Sequence, residues 1–164
     1  MTKKPKPDFL AILKVLAAHK VEFIVVGGVS AVLQGAPIAT FDLDVVHSRE
    51  PANIERLIEA LQELGAYYRG QGTRRIEPSL SHLASPGHQL LLTIHGPLDL
   101  LGTIGKGRGY EALIAAAEDI VVGPVRVRVL GLPALIESKE EAAREKDNAV
   151  LSILRRTLEE RRKK

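Results

Sequence analysis

Two glycines and two aspartates in the stretch 23–46 (FIVVGGVSAVLQGAPIATFDLDVV) are the residues whose types and spacing could do chemistry. Gly27 and Gly28 follow a short apolar run, and Asp42 and Asp44 stand two positions apart among strand-forming residues. Side chains two apart on a strand point to the same face, which places their Cβ atoms about 7 Å apart. Carboxylate oxygens that converge in this way are suited to hard divalent cations.

A third aspartate supports the same interpretation. An Asp-x-Asp pair alone usually belongs to a solvated strand face. Leu43, Val45 and Val46, however, are typical of a buried strand, in which an unpartnered carboxylate is costly. Asp99 stands in the equally apolar segment 98–101 (LDLL). Asp99 is therefore a third acid with buried-looking surroundings.

The segments that carry these residues resemble the signature of the DNA polymerase β-like nucleotidyltransferase superfamily. Within it, the chain is most similar to the minimal nucleotidyltransferases and to the AbiE-type toxin nucleotidyltransferases. The likeness covers most of the chain and includes 25–28 (VVGG), Thr40-x-Asp42-x-Asp44, 98–101 (LDLL), and Ser138-Lys139 followed by Arg144-x-Lys146-Asp147. The thirteen residues between the glycines and the first aspartate are a fairly specific spacing, whereas the last motif is weaker alone.

This resemblance implies a fold and an activity. The fold is α+β, with helices packed on a mixed β-sheet as in the polymerase β palm and with a helical C-terminus. The activity is metal-dependent transfer of an NMP from an NTP, ATP included, to an acceptor that could be RNA, protein or a small molecule. Two Mg²⁺ ions are implied as cofactors. The AbiE likeness adds a toxin–antitoxin-type system with a toxin- or antitoxin-like partner.

The resemblance also assigns roles to residues. Asp42, Asp44 and Asp99 would bind the two Mg²⁺ ions and carry catalysis, with Asp99 also helping to deprotonate the acceptor. The nucleotide contacts would come from Gly27, Gly28, Ser30, Thr40, Lys139 and Asp147. The chemistry accounts for these residue types, because nucleotidyl transfer requires mainly positioning and charge neutralisation. Glycines let backbone approach a triphosphate, and the N–H groups of the following helix point towards it.

Two positions depart from the family pattern. Many relatives have an arginine two positions before the motif threonine, where this chain has Ile38, and an acid three residues after the Lys-Asp pair, where it has Val150. A second hypothesis therefore stays open, namely a binding module of the same fold with weak or no catalysis that acts with a toxin- or antitoxin-like partner. A third is an RNA-binding protein that uses its basic tails.

Composition bounds these hypotheses. With 164 residues, 45% of them hydrophobic, we expect a single domain over 1–164 with its own core. The absence of cysteine excludes disulfides, thiol catalysis and cysteine zinc sites. No apolar run approaches the roughly 18 residues that cross a bilayer, so we expect a cytoplasmic protein with no membrane partner. Basic residues concentrate at the ends, and we expect solvated, poorly ordered tails at 1–7 and 159–164.

Local patterns predict the elements that position the acids. Asp8 is predicted to cap a helix whose apolar positions recur from Phe9 to Leu16. The other predicted elements are strands at 21–26, 42–46, 66–68, 89–95, 98–101, 119–122 and 125–130, and helices at 30–34, 51–64, 110–117, 132–143 and 145–160. Segment 102–109 (GTIGKGRG) is predicted to be a turn, because it lacks the spacing of phosphate-binding loops. Arg74 and Arg75 either reach substrate or are loop charge.

Overall fold

Strands and helices alternate along most of the chain before two helices close it. The computed structural model describes residues 7–142 and 145–163, and the side chains of these except 142 and 145–147. The helices are α1 Phe9–Ala18, α2 Gly27–Leu33, α3 Pro51–Glu63, α4 Leu80–Ala84, α5 Tyr110–Leu113, α6 Leu132–Ala142 and α7 Glu145–Arg162. The strands are β1 Phe23–Val26, β2 Leu43–His47, β3 Tyr67–Tyr68, β4 His88–Thr93, β5 Gly96–Leu101, β6 Ala117–Val122 and β7 Val125–Leu130.

Within the described residues, seven strands form one mixed sheet in the order β3-β4-β5-β2-β1-β7-β6. The central strand β2 is antiparallel to β1 and parallel to β5. In this register Val26 lies opposite Asp44, and Asp44 lies opposite Asp99. The topology therefore brings the glycine turn that follows β1 and two of the predicted acids to one place on the sheet.

Helices pack on both faces of this sheet. One face buries alternate strand residues such as Val25, Val45 and Leu98 against α1, α3 and α4. The other face buries Val26 and Val46 against α5, α6 and α7. This alternation is the expected pattern for strands that are covered on both sides. The predicted α+β fold with a mixed sheet and a helical C-terminus is confirmed.

The strongest local signals were located correctly. Asp8 caps α1 by accepting a hydrogen bond from the Ala11 N–H at 3.0 Å. Pro51 stands in the first turn of α3, where its missing N–H is not needed, and the predicted apolar stripe from Ile54 to Leu64 is buried. The hairpin of β6 and β7 is confirmed around Gly123, whose φ is +58°.

Three segments differ from the prediction. Helix α2 begins at Gly27 itself rather than at Ser30, and β2 begins at Leu43, so Asp42 lies in the bend just before the strand. Helix α4 was not predicted, because its five residues are too few for a periodic pattern. It is fixed instead by a capping box in which Ser79 accepts from the His82 N–H and the His82 side chain accepts from the Ser79 N–H.

The C-terminal end is part of the fold. Helix α7 continues through the predicted tail to Arg162, and Arg161 donates to Gln34 Oε1 at 3.0 Å. Arg161 also lies 3.6 Å from a Glu118 carboxylate oxygen. In the part of the chain that the structure describes, none of the helices is long and apolar enough to cross a membrane.

Candidate active site

The glycine turn after β1 lies directly against two residues of the Thr-x-Asp-x-Asp segment. Gly27 has a φ of +65°, and a Cβ at this position would fall 2.5 Å from Asp44 Oδ2. A Cβ at Gly28 would fall 2.7 Å from Thr40 Oγ1. Real Cβ atoms do not approach other atoms so closely, so any other residue would displace the Asp44 carboxylate at position 27 or the Thr40 hydroxyl at position 28, and at position 27 it would also be strained by the positive φ. The backbone at the start of α2 therefore faces Asp44 with no side chain between them.

Asp44 and Asp99 are neighbours on parallel strands, and their carboxylates perturb each other. Asp44 Oδ1 is buried and accepts no hydrogen bond from the residues that the structure describes. Burial, followed by the negative charge of Asp99 and a hydrogen bond between the two carboxyl groups, raises the pKa of Asp44 to about 7. Asp42 adds to this rise in pKa, and the positive charge of Lys139 opposes it. Near neutral pH the pair therefore gains a proton easily, as expected for two close carboxyl groups with few counter-charges.

Asp99 carries a counter-ion of its own. Arg69 Nη2 lies 2.8 Å from Asp99 Oδ1, in an ion pair that is not aligned as a hydrogen bond. Burial raises the pKa of Asp99, and the charge of Arg69 opposes that rise. Arg69 also donates from Nη1 to the Leu91 carbonyl at 2.9 Å. The guanidinium is thus tied both to the carboxylate and to the backbone of β4.

Asp42, the third predicted acid, is exposed in the bend before β2. Burial is the largest cause of the raised pKa of Asp44 and of Asp99, and the negative charge of Asp42 adds to both rises. Asp42 therefore lies close enough to interact electrostatically with the pair. Among the described residues, no set of three or more His, Cys, Asp or Glu side chains is already arranged to hold a metal ion. The site therefore consists of two adjoining carboxylates, a third nearby, and an arginine bound to one of them.

The predicted nucleotide-binding residues have different surroundings. Thr40 donates to the Asp42 carbonyl at 3.3 Å and stands over Gly28. Ser30 is fully buried, where its hydroxyl donates to the Leu130 carbonyl at 2.8 Å, so in this conformation it faces β7 rather than the site. Lys139 lines the cavity at Gly27. Asp147 falls in α7, but its side chain lies outside the described residues.

Two adjoining cavities open at the glycine turn. The first, of about 140 Å³, is lined by Val26, Gly27, Asp44, Leu101, Ile104, Leu135, Ser138 and Lys139. The second, of about 170 Å³, is lined by Gly27, Gly28, Ala31, Ile38, Ala39, Leu135, Lys139, Val150 and Leu154. The two positions that depart from the family pattern, Ile38 and Val150, therefore line the same cavity and make it apolar.

A larger cavity of about 320 Å³ lies at the other end of β1, between α1 and β7. Its charged lining mixes both signs, with Lys20, Arg126 and Arg128 beside Glu22 and Asp119. It contains none of the predicted site residues, and we do not assign it to the same chemistry.

Sequence reasoning missed two residues at the site. Arg69 follows a strand of only two residues, and no local signal connects it with Asp99, because their contact depends on the pairing of β3, β4 and β5. Phe41 stands between Thr40 and Asp42 and is 73% exposed. An exposed aromatic ring beside a predicted metal ligand could have been noticed from the sequence.

Two other features of the chain have structural roles. Segment 102–109 is a turn, as predicted, and Arg108 ties it to α6 through ion pairs of 3.0 Å with Glu137 and 2.9 Å with Glu141. His47 is the last residue of β2 and is buried, with Nε2 at 2.9 Å from the Leu83 carbonyl oxygen. Burial lowers the pKa of His47, so the imidazole is held neutral inside the core.

Solved structures share this fold. The lincosamide antibiotic adenylyltransferase LnuA, in its lincomycin-bound structure, matches 90% of this chain and 94% of its own, with 15% identity and a TM-score of 0.61. The antibiotic-resistance factor ANT(2'')-Ia matches 92% of this chain and 82% of its own, with 13% identity and a TM-score of 0.60. A nucleotidyltransferase-like protein of Thermotoga maritima matches 93% of this chain and 91% of its own, with 17% identity and a TM-score of 0.57.

No protein-family model matches the sequence, and no curated protein matches it either. The structural likeness, at identities of 13–17%, establishes the fold: it is the nucleotidyltransferase fold.

Proposed function

We propose that this protein is a metal-dependent nucleotidyltransferase that moves an NMP from an NTP to a hydroxyl of an acceptor and releases pyrophosphate. One observation carries the proposal: a buried carboxylate, Asp44, stands between the side-chain-free turn at Gly27 and a second carboxylate, Asp99. In a protein of nucleotidyltransferase fold, this arrangement sets a carboxylate oxygen next to a surface that backbone alone forms. That combination suits a triphosphate with bound Mg²⁺.

The donor set fits a divalent cation. Asp44 Oδ1 is buried without a hydrogen-bond partner, which is costly unless a cation or a proton occupies it. Carboxylate oxygens are the ligands that Mg²⁺ prefers, and Asp42, Asp44 and Asp99 would hold it. When bound, the metal would neutralise charge on the reacting phosphates. Asp99 can contribute fully only after Arg69 has moved away from it.

The nucleotide would lie along the glycine turn. Gly27 and Gly28 allow phosphate oxygens to approach the backbone, and Lys139, which lines both cavities, would supply positive charge. The second cavity offers apolar surface at Ile38 and Val150, where relatives carry charges. We therefore assign it to an uncharged part of the nucleotide rather than to its phosphates.

The chain's own residues account for the proton transfer. Asp99 would accept the proton of the acceptor hydroxyl, because burial raises its pKa above that of an ordinary carboxyl group. Arg69, released from Asp99, would remain beside the acceptor. Asp44 would stay ionised when its oxygens bind a cation, since a nearby positive charge lowers the pKa of a carboxyl group.

The test uses purified protein, Mg²⁺ and α-labelled NTPs with total RNA, protein or small-molecule fractions as acceptors. We expect labelled product and pyrophosphate from the wild type, and a loss of at least 100-fold in Asp44→Asn and Asp99→Asn. Asp119→Asn is the matched control, because Asp119 is an exposed aspartate on β6. If the wild type forms no product, or if the Asp44 and Asp99 variants behave like the Asp119 variant, the proposal fails.

The second hypothesis, a binding module with little catalysis, is favoured by one observation. Arg69 occupies Asp99, so the carboxylate that would receive the proton is paired in the free protein. Such a module would act with a toxin- or antitoxin-like partner. Titration calorimetry separates the hypotheses, since a module without catalysis need not bind Mg²⁺-NTP. A co-purifying partner together with no NTP binding would favour the module.

A further inference from the structure

Among the described residues, no helix packs on the sheet face that carries Asp99 beyond β5. Leu90 lies opposite Asp99 and Leu92 lies two positions further along β4, so all three side chains share a face. Tyr67 pairs with Leu92 and continues that face onto β3. None of these side chains belongs to the core cluster on this side of the sheet, and Leu90 is 45% exposed. An apolar shelf therefore extends from Asp99 to the sheet edge.

Two arginines stand on this shelf. The backbone N–H of Arg69 donates to the Leu90 carbonyl at 3.1 Å, and its side chain reaches across β4 to the ion pair with Asp99. The Arg75 guanidinium lies 4.5 Å from the centroid of the Tyr67 ring. Between residues 64 and 98 the sequence has three arginines and a single acid, Glu77. The shelf therefore combines apolar side chains with two guanidinium groups, one of which is paired with Asp99.

The shelf offers the acceptor a route to Asp99 from this side of the sheet. Across the sheet the order is Gly27, Asp44, Asp99, Leu90 and then Arg69. If the proposed function is right, the donor triphosphate occupies the side at Gly27, and the shelf approaches Asp99 from the opposite side. A shelf of apolar and aromatic side chains with arginines suits a single-stranded nucleic acid, because bases stack on the apolar groups while arginines bind phosphates.

We propose that this shelf binds the 3′ end of a single-stranded RNA as the acceptor and that Arg69 is its phosphate anchor. This inference rests on the proposed function and names its acceptor class. An RNA phosphate that binds Arg69 takes the guanidinium from Asp99, which leaves the carboxylate to accept the proton of the 3′ hydroxyl. The 3′ oxygen then forms a bond to the α-phosphorus of the NTP as the bond to pyrophosphate breaks. Asp99 is thus held inactive until the acceptor arrives.

The first experiment measures binding without chemistry. A fluorescein-labelled 12-nucleotide RNA with a 3′-deoxy end is titrated with protein, and anisotropy is followed at several salt concentrations. We expect Arg69→Gln to weaken binding about tenfold and Arg75→Gln to weaken it less. Removing one phosphate contact lowers the slope of log affinity against log salt by about 0.7. Arg69→Lys keeps the charge and should recover part of the affinity.

Arg126→Gln is the matched control, since Arg126 is exposed on β7, outside the shelf, and its loss changes the net charge equally. Thermal unfolding of each variant separates lost folding from lost binding. The inference is overturned if the wild type does not bind the RNA. It is equally overturned if the Arg69 and Arg126 variants lose affinity to the same extent.

The second experiment identifies the acceptor. Transfer from labelled NTP is compared for RNA with a 3′ hydroxyl, the same RNA with a 3′-deoxy end, ribose 5-phosphate and the amine-bearing compound lincomycin. Label on the 3′-hydroxyl RNA alone supports the inference, whereas label on ribose 5-phosphate or lincomycin but not on RNA overturns it. Calorimetry with Mg²⁺-NTP keeps the two proposals apart. NTP binding without RNA binding ends the inference only, whereas RNA binding without NTP binding ends the proposed function and, with it, the acceptor role of the shelf.

Discussion

The Cβ that any other residue would place at Gly27 falls 2.5 Å from Asp44 Oδ2. The turn and the carboxylate come together because β1 and β2 pair in the register that sets Val26 opposite Asp44. A side chain at Gly27 must therefore displace the carboxylate that we assign to the cation. The contact joins the first motif of the sequence to the second and makes both dependent on the same strand pairing.

We expect Gly27→Ala to abolish Mg²⁺-NTP binding and to destabilise the fold by about 1–3 kcal/mol. The stability loss comes from an alanine at positive φ, and the binding loss comes from the displaced carboxylate. Gly72→Ala is the matched control, because Gly72 has a φ of +63° and nothing within 4 Å of its Cβ position. Urea unfolding and NTP titration of both variants measure the two effects. Equal NTP affinity in the two variants would contradict the assignment.

Protonation of Asp44 gives the second prediction. Burial and then the charge of Asp99 raise its pKa from 3.8 to about 7. A raised carboxyl pKa stabilises the folded state below pH 4, and this stabilisation is lost as the pH rises through 7. We therefore expect wild-type stability to fall by about 2–4 kcal/mol between pH 4 and pH 8, at about 1.4 kcal/mol for each unit of pKa difference.

Asp44→Asn should remove most of this dependence, because an amide of the same shape does not ionise. Denaturant titrations at pH 5 and pH 8 measure it, with Asp119→Asn as the control that keeps the wild-type slope. The Asp44 variant should be the more stable protein at pH 8 in the absence of divalent cations. Parallel pH profiles for the wild type and the Asp44 variant would show that Asp44 is not the titrating group.

The sequence predicted the parts of this site that depend on residue type and local spacing. Glycines at 27 and 28 and aspartates among apolar residues could be recognised without knowing the fold, and the resemblance added Asp99. The pairing of Asp44 with Asp99 could not be derived locally, because β2 and β5 are separated by α3, β3, α4 and β4. The same reason hides Arg69, whose position depends on β3–β4 pairing.

Cation binding gives a third prediction that does not depend on catalysis. A cation that binds only the folded state stabilises it by about 1.4 kcal/mol when the free cation concentration is ten times the dissociation constant. For a chain of this size, this corresponds to a rise in Tm of about 3–6 °C. We expect Mg²⁺ to produce this rise at pH 8 in the wild type and to produce none in Asp44→Asn.

The pH dependence of this rise is the sharper test. At pH 5 a proton competes for Asp44, whose pKa is about 7, so the stabilisation by Mg²⁺ should largely disappear. Scanning calorimetry with and without EDTA measures it, and Asp119→Asn should respond like the wild type. A rise in Tm of the same size in Asp44→Asn would place the cation elsewhere.

The last prediction concerns the apolar cavity beside Gly28. Ile38 and Val150 both line it, and they stand where the family signature that the sequence resembles often has an arginine and an acid. Ile38→Arg alone puts a second positive charge beside Lys139 in this largely apolar lining and should destabilise the fold by about 1–3 kcal/mol, whereas Val150→Asp alone faces Lys139 and should cost less. The double variant pairs the charges, so its destabilisation should be smaller than the sum of the two single effects by at least about 1 kcal/mol.

A urea double-mutant cycle measures this coupling, and NTP titration of the same proteins measures what the cavity binds. If the cavity receives an uncharged part of the nucleotide, the double variant recovers stability but not affinity, because the apolar contact surface is still lost. Additive stability effects would mean that the two side chains do not meet across the cavity. Unchanged NTP affinity in both single variants would mean that the nucleotide does not enter it.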